Sequence, residues 1–287
     1  MRRENKIKFI AEVSSNHNSD IKRCFKFIEV ASKIGCWAVK FQLFRIDKLF
    51  APAIVKKNKD IQKRKKWELP LEFIPRLAEH CRKHQIKFSC TPFYIEAVKE
   101  LKPYVDFYKI ASYELLRMDL IKACAETGKP VVISTGMATI DEVKKAVEAV
   151  KKTGNKNYSL LHCVSSYPSP AGESNLSAIE SLAKKFGCPA GWSDHSVREE
   201  IIYRAAYKWG AKIIEFHLDL EGKGKEFGFG HCWLPPQMEK VIKGINDGFP
   251  ADGDGIKKPV KSEKKEREWR ADPSDGFRPL IKTRKRI

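Results

Sequence analysis

The sequence predicts a (β/α)8 barrel, the TIM barrel, with a basic C-terminal extension, and three observations carry that prediction. Eight short apolar runs alternate with stretches of helical periodicity in a chain of 287 residues. The runs are too continuously apolar for a sheet that keeps one face in water. Reactive side chains gather at the carboxyl ends of the runs, the catalytic end of such barrels. A doubly wound open sheet is the structural alternative, but no glycine-rich dinucleotide fingerprint follows the first run.

The first strand is predicted over Ile7 to Ser14, and it ends in the stretch Glu12-Val13-Ser14-Ser15-Asn16-His17-Asn18. Asn18, Ser19 or Asp20 can cap the next helix, whose apolar residues Ile21, Phe25, Ile28 and Ala31 recur at helical spacing until Gly35 stops it. The second strand, Trp37 to Phe44, carries Lys40 and Gln42 on one face. An insertion from Arg45 to Pro70 follows, with a basic run at 63–66 that reads as a solvated helix face. Helix 71–85 then leads to strand Lys87 to Pro92, helix 94–102 to strand Phe107 to Ser112, and helix 117–127 to strand Pro130 to Thr135. Helix 140–153 precedes strand Tyr158 to Ser165, helix 175–186 precedes Pro189 to His195, and helix 197–209 precedes Lys212 to Asp219. A last helix over 235–246 completes a domain assigned to residues 1–247. Residues 248–287 hold few aliphatic side chains and read as a basic, partly ordered tail with a short helix around Ser262 to Arg270.

The hydrophobic fraction of 42% is that of an ordinary globular protein. No apolar run approaches the roughly 20 residues that span a bilayer, so no membrane association and a cytoplasmic location are expected. Eight cysteines without a CxxC pair sit mostly inside apolar runs, as small hydrophobes would, and no disulfide framework is expected. The net charge of +19 attracts anions, either nucleic acid or a phosphorylated, carboxylated small substrate.

The strand ends supply Glu12, Lys40 with Gln42, Thr91, Lys109 with Ser112 and Glu114, Ser134 with Thr135, His162 with Ser165 and Tyr167, Ser193 with His195, and His217. Two lysines and several hydroxyls at one mouth make an anion site, while a carboxylate and two histidines offer metal and proton chemistry. His195 and His217 end neighbouring strands and could share one divalent ion. Taken singly, each histidine reads better as a packed, satisfied side chain than as a ligand. Lys40 and Lys109 do not fit a packing role, because an unpaired ammonium between apolar neighbours is expensive. Glu12 is open between catalysis and a structural pair with one of them, and Ser134-Thr135-Gly136 alone would be turn chemistry.

The segments AEVSSNHNSD, AVKFQ, CTPF, YKIAS, ISTGM, LLHCVSSYPSP, GWSDHS and EFHL, in that order, resemble the catalytic barrel of the sialic acid synthase (N-acetylneuraminate synthase) family, from about residue 7 to about 245. The resemblance implies condensation of phosphoenolpyruvate with N-acetylmannosamine or a related aldose, giving a nonulosonic acid and phosphate. It implies a divalent metal, usually Mn2+ with Mg2+ or Co2+ as alternatives, held by His195 and His217. It further implies that Lys40, Thr91, Lys109, Ser112, Ser134 and Ser193 hold phosphoenolpyruvate, that Glu12 manages water or a proton, that Glu114 is a neighbouring acid, and that Tyr167 stands beside the sugar. Gln42 and Ser165 complete the expected substrate-binding set, and a homodimer stays open.

Three departures from the family pattern fall on the acceptor side. A basic tail stands where members commonly carry an antifreeze-like domain, Phe227-Gly228-Phe229-Gly230-His231-Cys232-Trp233 replaces an acidic loop, and Ser165 replaces a usual asparagine. Loop 226–233, with Phe227, Phe229 and Trp233 as apolar cover, or the tail through Arg270 or Arg278, is expected to close the mouth. A different aldehyde acceptor, or a non-catalytic basic barrel binding nucleic acid, is the alternative reading; the retained site residues and the lack of a nucleic-acid module disfavour the latter.

Overall fold

The computed structural model describes residues 7–286, so the first six residues of the predicted 1–247 domain and the last of the tail lie outside the described residues. Eight parallel strands are present: β1 (Lys8–Glu12), β2 (Ala38–Leu43), β3 (Lys87–Pro92), β4 (Tyr108–Ile110), β5 (Val131–Ser134), β6 (Tyr158–Cys163), β7 (Ala190–Asp194) and β8 (Ile213–Leu218). The hydrogen-bonded order is β3-β2-β1-β8-β7-β6-β5-β4, and a parallel bridge between Ser89 and Phe107 joins the two ends. The sequence reading of a (β/α)8 barrel therefore holds.

The helices between strands are α1 (Ile21–Lys33), α2 (Phe73–Lys83), α3 (Ile95–Leu101), α4 (Met118–Glu126), α5 (Ile140–Lys151), α6 (Ala178–Phe186), α7 (Glu199–Tyr203) and α8 (Pro235–Gly248). Their buried residues recur at helical spacing, as with Cys24, Phe27, Ile28 and Ala31 on α1. Asp20 is the cap of α1, accepting from the Lys22 amide at 2.8 Å. Thr139 and Glu142 form a reciprocal capping box on α5.

Several predicted boundaries change. Strand β1 ends at Glu12 rather than Ser14, because Ser14 takes a positive φ of 46° and its amide turns back to Glu12 Oε1 at 2.8 Å. The predicted helix 197–209 is α7 followed by a π-helical turn, Arg204–Lys208. The insertion holds Ile46–Leu49, Pro52–Lys57 and Lys59–Lys63, then a 3-10 turn Arg64–Trp67, and the basic run at 63–66 is exposed where the last two meet. A short strand the sequence reading missed, β9 (Cys232–Trp233), pairs with β8.

The chain divides into two compact units, Met1–Asp247 and Gly248–Ile287. Within the second, the expected helix is two 3-10 turns, Lys261–Glu263 and Glu266–Trp269. There Arg284 Nη2 holds Asp275 Oδ1 at 2.7 Å. Among the described residues, no helix is long and apolar enough to cross a membrane.

The barrel interior is layered by the two-residue repeat of its strands. Ile10, Ala38, Phe107, Val132, Leu161 and Ile213 point inward together and form an apolar floor. At Gly191 the space is tighter than any side chain allows, since an added Cβ would stand 2.0 Å from the Ile213 carbonyl oxygen and 2.9 Å from Leu161 Cδ2. Backbone cannot yield there as a flexible side chain could. Gly191→Ala is expected to cost on the order of 1–3 kcal/mol or more through overpacking, read as a Tm several degrees lower; an unchanged Tm would contradict this packing of the floor.

Candidate active site

One step of the strand repeat above the floor, the inward positions become polar. Adding two to each floor residue gives Glu12, Lys40, Lys109, Ser134, Cys163 and Glu215, and all six line one cavity of about 410 Å³ at the carboxyl end of the barrel. One step higher, the walls carry Ser14, Gln42, His195 and His217.

Lys40 and Lys109 are 3% and 2% exposed, and neither is left unpaired. Lys40 Nζ forms an ion pair with Glu12, lies 3.2 Å from Thr91 Oγ1, and stands 4.0 Å from Glu215 Oε2. Lys109 Nζ donates to Glu215 Oε1 at 3.1 Å, and Ser193 Oγ donates to the same oxygen at 3.2 Å. Glu12 Oε1 also accepts from Gln42 Nε2 at 3.0 Å. Burial alone would depress the Lys40 ammonium, but Glu12 and Glu215 outweigh it and hold its pKa above the usual lysine range. For Lys109 burial wins over the attraction of Glu215, and its pKa falls. Glu215, raised by burial but drawn down further by Lys109 and Lys40, stays ionised.

Beside this charged layer three imidazoles cluster. The ring centroids of His195 and His217 are 5.4 Å apart, and those of His217 and His231 are 4.6 Å apart. His195 Nδ1 lies 2.7 Å from the Val164 carbonyl, which can only accept, so Nδ1 carries the proton and Nε2 keeps a lone pair. Burial, then the neighbouring His217, hold the His195 pKa down at about 3. His217 Nδ1 faces Glu226 Oε2 at 3.1 Å, and His231 Nε2 faces the same oxygen at 3.6 Å. Although burial opposes charge on both partners, the contact raises the His217 pKa and holds the Glu226 carboxyl well below the usual range.

Glu226 supplies the acidic side chain that the sequence reading found missing from this loop. It is placed by a network of its own: Ser14 Oγ bonds to its carboxylate, and its amide donates to Asn16 Oδ1 at 2.8 Å. Asp219 accepts from Arg23 at 2.8 Å and from the Lys223 and Gly224 amides at 2.9 and 3.1 Å. A Cβ on Gly224 would stand 2.2 Å from Asp219 Oδ1 and 2.4 Å from Asn16 Oδ1, so only glycine lets the loop settle this deeply. Of the expected apolar cover, Phe229 lines the cavity, whereas Trp233 is buried in β9. There its Nε1 donates to Asp194 Oδ2 at 2.9 Å.

Most of the sequence-predicted site residues meet: Glu12, Lys40, Gln42, Lys109, Ser112, Ser134, Tyr167, Ser193, His195 and His217 all line the cavity. Three lie outside its lining. Thr91 sits behind Lys40. Ser165 stands near Cys163, their side chains 3.9 Å apart. Glu114 ends the 3-10 turn Ser112–Glu114, whose side chains step about 120° apart; Ser112 and Tyr113 therefore line the cavity while Glu114 enters the wall. Burial, partly offset by Arg117 and Lys109, raises its pKa to about 7. Sequence reasoning missed Glu215, Glu226, His231, Arg64 and Trp67, all of which line the cavity. For Glu215 the signal was available, since it is two residues from His217 on the same strand face.

Ser134 Oγ, Glu215 Oε2 and His231 Nδ1 are buried without a hydrogen-bond partner, as befits groups that await a ligand. The arrangement can bind a small, multiply charged anion against lysines and hydroxyls, beside imidazoles and carboxylates able to hold a cation or move a proton.

The NeuB family profile matches residues 27–257. The chain is 35% identical over 269 residues to the N,N'-diacetyllegionaminic acid synthase of Campylobacter jejuni, covering 89% of this chain and 80% of that protein. It is 33% identical over 267 residues to the pseudaminic acid synthase of the same species, covering 88% and 76%. Its structure superposes on the N-acetylneuraminic acid synthetase of Leptospira borgpetersenii with a TM-score of 0.80 at 32% identity, covering 94% of this chain and 93% of that one. Matched over most of its length in sequence and in barrel geometry, the chain belongs to the NeuB family of sialic acid synthases.

Proposed function

We propose that the barrel mouth condenses phosphoenolpyruvate with an open-chain aldose to give a nonulosonic acid and inorganic phosphate. The observation that carries this reading is the buried layer of Lys40, Lys109, Glu12 and Glu215 over an apolar floor, ringed by Ser112, Ser134 and Ser193. The synthase relatives, named for legionaminic and pseudaminic acids, agree with it. Lys40, Lys109 and the three serines bind the phosphate and carboxylate of phosphoenolpyruvate through charge-assisted hydrogen bonds. The methylene carbon of phosphoenolpyruvate bonds to the aldehyde carbon, whose oxygen takes a proton. Water then bonds to C2, and the C–O bond to phosphate breaks to leave the 2-keto acid. Glu12, held between Lys40 and Gln42, accepts the proton of that water. The lysines stabilise the departing phosphate.

The residues present also fit a divalent ion. Three carboxylates of the cavity, Glu12, Glu215 and Glu226, face two buried lysines, so a trianionic substrate needs further positive charge nearby. His195 offers Nε2, His217 and His231 stand beside it, and ligand atoms of His217, Glu226, His231 and Cys232 lie within 4.8 Å of one another. His195 and His217, with Glu226 and His231 in reach, would hold such an ion, which would supply Lewis-acid polarisation of the aldehyde oxygen. The acceptor side is built from Arg64, Trp67, Tyr167 and Phe229. Arg64 stacks over Trp67 at 5.5 Å and lies in no ion pair among the described residues, which keeps a different or anionic aldehyde acceptor open as the second reading.

The test is phosphate release from phosphoenolpyruvate across a panel of N-acyl hexosamines and their phosphates. Release that depends on one of these sugars is expected, with Lys40→Met and Lys109→Met lowering kcat/KM at least about a hundredfold, on the scale of lost electrostatic stabilisation. No sugar-dependent release by the wild type, or full turnover in both lysine variants, would refute the assignment.

Metal content gives an independent check. His195→Ala with His217→Ala is expected to abolish Mn2+ binding at the mouth, followed by electron paramagnetic resonance while circular dichroism confirms the fold; unchanged Mn2+ uptake would count against the ligand assignment.

Glu114 backs Lys109 from inside the wall. Its pKa rises from 4.5 unfolded to about 7 folded, so between these values the folded state holds a proton the unfolded chain has lost. Stability attributable to it therefore falls as pH rises through that window, by on the order of 3 kcal/mol. Glu114→Gln is expected to remove this slope in denaturant melts from pH 5 to 8, and an identical slope in the variant would show the group is not buried as described.

A further inference from the structure

Away from the mouth, α1 and α2 bring Glu29, His80 and His84 together on the outer surface of the barrel. His80 and His84 are four residues apart at the carboxyl end of α2, where His84 is the cap, so their imidazoles leave the same side of the last turn. Their ring centroids are 4.6 Å apart. Glu29 reaches them from α1, and one ligand atom of each of the three lies within 4.8 Å of the other two. The contact between Glu29 Oε1 and His80 Nε2 is 3.3 Å. That is long for a charge-assisted hydrogen bond, usually about 2.7–2.9 Å. It equals the separation of about 3.3 Å that two donors take on one tetrahedral ion with bonds near 2.05 Å.

The site is held in place before any ion arrives. Phe25 stacks on the His80 ring at 4.3 Å and 23°. Ser32 Oγ donates to the His84 carbonyl at 2.8 Å, tying α1 to the end of α2. All three candidate ligands are half-buried, which leaves room for water at a fourth position. The surroundings are basic: Lys26 Nζ holds the other Glu29 oxygen at 3.3 Å, and Arg76 lies over Phe25 at 5.6 Å. A hard cation drawn by charge alone gains little there. Imidazole lone pairs favour Zn2+, Ni2+ and Cu2+ over Mg2+.

We propose that Glu29, His80 and His84 form a second metal site, specific for Zn2+ and similar imidazole-binding ions, which clips α1 to α2. It shares no residue with the barrel mouth and does not rest on the reaction assigned there.

The test titrates the full chain, stripped of metal by chelation, with Zn2+ by calorimetry and records thermal melts alongside. In a His195→Ala, His217→Ala, His231→Ala background, which removes the mouth imidazoles, one Zn2+ is expected to bind and to raise Tm. Adding His80→Ala and His84→Ala abolishes both effects, and Glu29→Gln weakens binding about tenfold or more. Should the mouth variant fail to fold, the wild type against His84→Ala serves, with the loss of one Zn2+ equivalent as readout. The proposal is overturned if zinc uptake and the melting rise persist without His80 and His84, or if Mg2+ occupies the site as well as Zn2+ does.

Discussion

Two ammonium groups placed inside a barrel are the constraint on which the rest of this structure depends. Lys40 and Lys109 project from largely apolar strands, and the carboxylates that pair with them are Glu12, in register with Lys40 on the neighbouring strand, and Glu215 on β8. Removing one partner of such a buried pair leaves an uncompensated charge, at a cost of about 3–5 kcal/mol. Hydrophobic side chains of similar volume would serve stability as well or better. Under the proposed function, an entering anion would exchange part of the pairs' mutual attraction for contacts with itself.

Above that layer the site depends on loops rather than strands, and the loops are fixed by buried carboxylates. Asp194 accepts from both Trp192 Nε1 and Trp233 Nε1, and from Ser196 Oγ at 2.6 Å, which locks the end of β7 to β9. Asp219 and Asn16 seat the Gly224 turn and so aim Glu226 at His217. His195, His217 and His231 thus gain their mutual positions from two acids that never touch the cavity. Rigid support of this kind holds side chains within the narrow geometry that a binding or catalytic site requires.

The barrel and its inner layer were legible in the sequence because a strand repeats every two residues, so a lysine inside an apolar run must point where the residues two positions away point. The same rule, applied from His217, also reaches Glu215, yet that residue read as part of the strand. Glu226, His231, Arg64 and Trp67 carried no such signal. They lie on loops and on a 3-10 turn, where position follows from tertiary hydrogen bonds such as Glu226 to Asn16, and no periodicity announces it. Glu114 shows the converse: it follows Lys109 and Ser112 closely in sequence, but the turn after β4 carries it into the wall beside the cavity.

Phosphoenolpyruvate is proposed to bind in the charged layer one step above the apolar floor. A crystal structure of the full chain soaked with phosphoenolpyruvate tests this most directly. The account predicts its anionic oxygens within about 3 Å of Lys40 Nζ, Lys109 Nζ and the hydroxyls of Ser112, Ser134 and Ser193. Clear density for the ligand elsewhere, with both lysines still bound only to Glu12 and Glu215, would contradict it.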